Sequence, residues 1–202
     1  RLRDRISLEV RALNNRTPVR AREAKARLEQ LYAKTGQVPT IRVHDSFEEL
    51  IADPVVGLVM VNTPQYAHRD PAVAALGAGK RVYVDKPLAH TLEDALAIYR
   101  EQARTGHEVI VSFTRRFEGP WISTWELVRQ GVIGRVRMIQ VRNVIPYHIY
   151  FHTWVRRRQW SGGPLADKMS HIFDVFNWFS GGKPVKVSAF AGRSVFLPEK
   201  NP

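Results

Sequence analysis

Through its first 114 residues the chain sets short continuous apolar runs between longer amphipathic stretches. Leu8 to Leu13 (LEVRAL) reads as a strand that ends at Asn14 and Asn15. Pro18 suits a first helical turn, and the Ala/Arg/Glu-rich stretch to Lys34 is strongly helix-forming, with Gly36 closing it. Ile41 to Val43 is a short strand, and Ser46 with Glu49 forms a capping box in front of Leu50 and Ile51. Gly57 to Val61 (GLVMV) is apolar throughout, the pattern of a parallel strand covered on both faces. Pro71 to Ala78 predicts a helix ended by Gly79, and Val82 to Val84 a buried strand. Thr91 with Asp94 caps a helix running to Ala103, Gly106 ends it, and Val109 to Phe113 (VIVSF) is a further strand. Strands alternating with helices at this spacing predict βαβ units and a parallel sheet.

After Phe113 the rhythm changes. Trp121 to Arg129 predicts an amphipathic helix bounded by Gly131. Val136 to Val144 (VRMIQVRNV) largely alternates, which predicts a half-exposed antiparallel strand. Leu165 to Phe179 predicts a helix with Pro164 near its start and Gly181 after its end, and Val185 to Phe190 another strand. The expected division is residues 1–114 as a parallel α/β domain, and 115–202 as an α/β domain with a largely antiparallel sheet.

Chemistry gathers in two places. Asp85, Lys86 and Pro87 follow directly on the strand at Val82–Val84. In an open parallel sheet, ligands bind just outside the carboxyl ends of the strands. A lysine there can hydrogen-bond a substrate oxygen, and Pro87 biases Lys86 away from helical backbone. In LADKMSHIFDVFNWF, Leu165, Met169, Ile172, Phe176 and Phe179 form a stripe expected to face a core. Asp167, His171, Asp174 and Trp178 line another face, with Asp167 and His171 one turn apart. A carboxylate beside an imidazole orients the ring and favours its protonated form, which suits proton transfer.

Composition narrows the partners. The 202 residues carry a formal net charge of +12 and no cysteine, so disulfides, thiolate metal sites and cysteine nucleophiles are excluded. The positive residues are dispersed, with mild clusters at Arg1–Arg5, Arg16–Arg27 and Arg156–Arg158, and no zinc-finger spacing or RNP-type signature accompanies them. No nucleic-acid partner is therefore expected. No membrane partner is expected either, since no run approaches the roughly 18 apolar residues of a membrane span. His148 and His152 are four apart, but a third ligand is lacking and no metal is expected. Tyr147, Tyr150, Phe151 and Trp154 could equally stack on a sugar face, pack internally or meet another subunit.

Taken together, NTPQYAH, ALGAGKRVYVDKP, the run ending in SFTRRF, and DKMSHIFDVFNWFSGGKP resemble the Gfo/Idh/MocA oxidoreductases over nearly the whole chain. The resemblance implies a Rossmann-like domain joined to a substrate domain. It implies hydride transfer between nicotinamide and a carbinol or carbonyl carbon of a sugar, cyclitol or related small molecule. Lys86 resembles the family's catalytic lysine, His171 its proton donor or acceptor, and Asp167 the carboxylate supporting it. Asn62, Thr63, Pro64 and His68 resemble the loop bordering the cofactor, with Asp85 and Lys86 beside it; Asp85 stands where glutamate is commoner. The peptide before Pro87 is often cis in the family. A cytoplasmic enzyme, homo-oligomeric through its C-terminal sheet, is the expectation.

No G-x-G-x-x-G occurs in the chain. The first Rossmann strand and its glycine-rich turn are therefore expected to precede Arg1, and the sequence reads as an interior part of a longer enzyme, not competent alone. The alternative is a cofactor- or sugar-binding protein without turnover, or an inactive fragment. After the second Rossmann strand an acidic residue usually meets the adenosine ribose. Here Asn15, Arg16 and Thr17 stand in that place, which favours NADP over the alternative, NAD.

Overall fold

The structure is a computed structural model that describes residues 8–144 and 153–192. The chain divides into two compact units, Arg1–Thr114 with Asn143–His171, and Arg115–Arg142 with Ile172–Pro202. Of the described residues, 143–144 and 153–171 thus fall in the first unit, whereas the alternation of elements along the sequence groups them with 115–202.

In the first unit the strands are β1 (Ala12–Asn14), β2 (Arg42–His44), β3 (Leu58–Val61), β4 (Arg81–Asp85) and β5 (Val109–Ser112). All their pairings are parallel. They form a two-stranded sheet, β1-β2, and a three-stranded sheet, β3-β4-β5. Helices α1 (Pro18–Ala33), α2 (Phe47–Ala52), α3 (Arg69–Gly77) and α4 (Leu92–Thr105) connect them. The caps form as their residues dictate: Ser46 Oγ accepts from Glu49 N at 3.1 Å and Thr91 Oγ1 from Asp94 N at 3.2 Å. Gly106 ends α4 in the left-handed region that a side chain would disfavour.

The core lies on one face of the three-stranded sheet. Val59, Val61, Val82 and Val84 pack there with Ala72, Ala75 and Leu76 of α3 and Ile98 of α4. On the other face the register sets Met60, Tyr83 and Ile110 side by side, with Met60 and Ile110 about half exposed. The expectation that β3 is covered on both faces is thus corrected. A continuous apolar run says that a strand can be buried on both sides; whether a second layer covers it is settled by packing.

The antiparallel sheet expected beyond Phe113 is also absent from the described residues. Residues 136–144 and 184–192 carry no ladder, and Met138, Val144, Val185, Val187 and Phe190 stand exposed. Alternation marks a segment able to join a sheet, but a strand exists only through hydrogen bonds to a partner strand. The second unit instead builds on α5 (Gly119–Arg129), where Trp125 stacks on Trp178 and Trp121 meets Phe179 edge-on. Arg116 holds Asp174 through two hydrogen bonds of 2.8 Å.

The long C-terminal helix has a change of pitch. After a short helix, α6 (Arg158–Ser161), Leu165–Met169 forms a π-helical turn, and α7 follows over Ser170–Ser180. The wider turn shifts the phase of the predicted apolar stripe. Leu165 is exposed, while Ile172 and Val175 are buried.

Gly162 has φ +70°, and a Cβ there would collide with the main-chain oxygen of His90. Gly131 has φ +80° with nothing near. Gly131→Ala is expected to cost about 1–2 kcal/mol for left-handed backbone alone, and Gly162→Ala distinctly more because the His90 carbonyl must move. Urea unfolding of both variants measures the difference; equal losses would refute the close approach.

Candidate active site

Lys86 follows β4 at the carboxyl edge of the three-stranded sheet, where the strand's ladder ends and the chain turns towards α4. Its main-chain N–H donates to Asp85 Oδ1 at 3.0 Å, and the Lys86–Pro87 peptide is cis, as the resemblance implies. The Lys86 side chain is only 15% exposed. Its ammonium donates to the main-chain oxygen of Asp167 at 2.6 Å and to Asp167 Oδ1 at 3.2 Å. A lysine ammonium has three N–H bonds, so one remains for a further acceptor.

Asp167 sits in the π-helical turn and is 3% exposed. Gln65 Nε2 donates to its Oδ1 at 2.5 Å, and Lys168 Nζ lies 3.2 Å from Oδ2. Burial alone would push this carboxyl up; the charges and hydrogen bonds of Lys86 and Lys168 outweigh it and hold the group below its ordinary value. Sequence spacing assigns Asp167 to the ring of His171. The carboxylate's hydrogen bonds to Lys86 and Gln65 reach across the fold, and Lys168 meets it from the same turn. His171 lies at the start of α7 with its ring edge-on to Phe113, centroids 6.2 Å apart.

His68 lies in the interior, beneath the loop its motif marks. It is fully buried, with Nε2 2.8 Å from the Thr63 oxygen and Nδ1 3.1 Å and 3.3 Å from the oxygens of Pro87 and Leu88. It ties the loop after β3 to the turn carrying Lys86. A ring enclosed in this way reaches a cofactor only through the loops it braces. Asn62, Thr63 and Asp85 are exposed at the ends of β3 and β4, and Pro64 precedes the 3-10 turn Gln65–Ala67. Asn15, Arg16 and Thr17 are exposed at the end of β1, and Asn15 Oδ1 accepts from Thr17 N at 2.9 Å. These loop ends could hold the two outer parts of a dinucleotide. The G-x-G-x-x-G sequence that marks a phosphate-cradling turn does not occur in the chain.

Trp154 meets Tyr66 edge-on at 6.1 Å, and Tyr66 also packs on Trp160 at 5.7 Å. Tyr147, Tyr150, Phe151, His148 and His152 lie outside the described residues. Among the described residues no cluster of three or more His, Asp or Glu could hold a metal, and no helix is long and apolar enough to cross a membrane. Gln65 escaped the sequence reading because its partner is 102 residues away; nothing local marks a glutamine in a short turn.

Residues 4–113 match a family model described as an oxidoreductase family with an NAD-binding Rossmann fold, and residues 122–198 match the GFO/IDH/MocA C-terminal domain. A 1-carboxy-3-chloro-3,4-dihydroxycyclohexa-1,5-diene dehydrogenase of Comamonas testosteroni is 35% identical, over 77% of this chain and 39% of its own. A scyllo-inositol 2-dehydrogenase (NADP(+)) of Bacillus subtilis is 28% identical, over 77% of this chain and 44% of its own. The chain thus spans less than half the length of these relatives. An oxidoreductase domain protein from Kribbella flavida superposes with TM-score 0.65 at 28% identity, covering 87% of this chain and 46% of that one. The scyllo-inositol dehydrogenase of Lactobacillus casei, solved with NAD(H) and scyllo-inositol, shares the fold with TM-score 0.65 at 22% identity, covering 86% and 48%.

Because Asp167 titrates lower folded than unfolded, its ionisation favours the folded state above its unfolded value, near 3.8. That contribution is lost as pH falls below this value and through the folded one. The stability gap between wild type and Asp167→Asn is therefore expected to be widest near neutrality and to narrow in acid. Denaturant titrations at several pH values check this, and a gap independent of pH would contradict it.

Proposed function

Since the chain belongs to the Gfo/Idh/MocA oxidoreductase family, we propose that it carries the reacting centre of a nicotinamide-dependent dehydrogenase or reductase acting on a sugar, cyclitol or related polyol. The observation that carries this reading is the buried Lys86–Asp167 pair at the carboxyl edge of a parallel sheet. The small polyols named for the relatives support the substrate class.

In this reading Lys86 offers its remaining N–H to the reacting oxygen and stabilises negative charge developing there. Asp167 holds the ammonium in place. His171 takes the hydroxyl proton in oxidation and returns it in reduction. The bound nicotinamide supplies or accepts the hydride. Asn62, Thr63 and Pro64, braced by His68, would border the nicotinamide; Asp85 accepts from the Lys86 main-chain N–H and closes the turn under it.

The sheet pieces support the same reading. A doubly wound dinucleotide fold has strand order 3-2-1-4-5-6, and β2-β1 and β3-β4-β5 correspond to its two wings. A central strand with a glycine-rich turn, contributed from outside these residues, would complete it. The same correspondence puts β1 at the second strand, whose end meets the adenosine ribose. Arg16 there supplies a planar cation suited to a 2′-phosphate, Thr17 a hydroxyl, and Asn15 lacks the charge that would repel it. The preferred cofactor is therefore NADP.

In the active protein containing this sequence, Lys86→Ala and His171→Ala are each expected to lower turnover about 100-fold or more, with cofactor binding surviving the His171 change. Unchanged turnover in both would refute the assignment. Arg16→Ala is expected to weaken NADP binding while leaving NAD binding nearly unchanged; fluorescence titration of both cofactors decides it, and tighter NAD than NADP binding by the wild type would overturn the preference.

A further inference from the structure

Gln65 lies in the 3-10 turn after β3 and is 5% exposed. Its Nε2 meets Asp167 Oδ1, while its Oε1 is buried with no hydrogen-bond partner among the described residues. The reverse amide orientation would set an amide oxygen against a carboxylate oxygen, acceptor against acceptor, so an ionised Asp167 fixes which way the amide points. A buried amide with one end unpaired is costly, and a leucine of similar size would fill the space without that cost. Packing therefore does not account for the amide. The contact with Asp167 does.

We propose that Gln65 is a positioning residue of this site, holding the Asp167 carboxylate in the orientation in which Oδ1 meets Lys86. This rests on the reading of Lys86 as the group that meets the reacting oxygen. The groups around Asp167 explain why a neutral donor is needed. Lys86 approaches from the end of β4, Lys168 is its neighbour on the same turn, and His171 follows on α7. From the turn after β3 come Gln65 and, three residues on, His68, whose ring is engaged by main-chain oxygens. Lys86 and Lys168 draw the carboxylate towards different oxygens. The Gln65 N–H adds direction to Oδ1 without adding a charge that competes with Lys86.

Two variants test this. Gln65→Leu keeps the bulk and removes the donor; Gln65→Glu sets an acceptor against the carboxylate. Thermal unfolding establishes that each is folded. Carbon-detected NMR titration of the Asp167 carboxyl is expected to move up by about one pH unit in Gln65→Leu, since a donor to the charged form is lost, and further in Gln65→Glu. Turnover in Gln65→Leu is expected to fall about tenfold with KM nearly unchanged. In an Asp167→Asn background the same substitution is expected to change turnover less than about twofold, because its object is gone. An unmoved carboxyl titration in folded variants, or equal losses in both backgrounds, would overturn the proposal. A titration that moves while Lys86→Ala leaves turnover intact supports the positioning contact and overturns the catalytic reading of Lys86 instead.

Discussion

The ion pair between Lys86 and Asp167 organises the first unit. It joins a strand end to a helical turn 81 residues later in the chain, and both partners are largely removed from water. Desolvating two charges costs free energy that their attraction only partly returns, so such a pair is a poor source of net stability. Its effect is to make alternatives expensive. Either charge left alone in that place would be far worse, which fixes the turn after β4 against the turn bearing Asp167. The ammonium also takes the Asp167 main-chain oxygen, so the backbone of that turn is held along with its side chain.

Around this pair the supporting contacts are uncharged. His68 spans the carbonyls of Thr63, Pro87 and Leu88, binding the loop after β3 to the turn after β4. Gln65, from that same loop, reaches Asp167. Gly162 lets the chain leading to Asp167 pass against the His90 main chain, an approach a Cβ would block. Three segments distant in sequence are therefore fastened to one another at the edge of the sheet where a parallel α/β fold binds its ligands. Rigid support of this kind suits the proposed role of the site, in which a reacting oxygen and a proton carrier would be held at fixed separation.

The π-helical turn at Leu165–Met169 lies at the same place. Such turns widen a helix by one residue and shift the direction of everything beyond it. Within this turn Leu165 is exposed, where regular helical spacing predicts a core position, and Asp167 is buried. The carboxylate in this turn is buried and bonds to Lys86 just after β4 and to Gln65 in the turn after β3.

Local rules written in the sequence determined much of this protein. Apolar runs between capped amphipathic stretches produced β1 to β5 and α1 to α4 close to the expected positions, because a cap or a glycine acts within a few residues of itself. The placement of Lys86 at a strand's carboxyl end was legible for the same reason. What needed the tertiary structure was every feature defined by a distant partner. Segments 136–144 and 184–192 alternate like strands, yet nothing in their own residues provides the neighbour that a ladder requires. Met60 and Ile110 are as apolar as the buried Val59 and Val61, and only the packing of α3 and α4 decides which face is covered. Gln65 acquires a role only because folding brings a carboxylate to it from 102 residues away. His68 braces the loop after β3 because its ring is enclosed by three main-chain oxygens, two of them from the turn after β4. A side chain's type and spacing set what it can bond to; the fold sets which of those groups arrives.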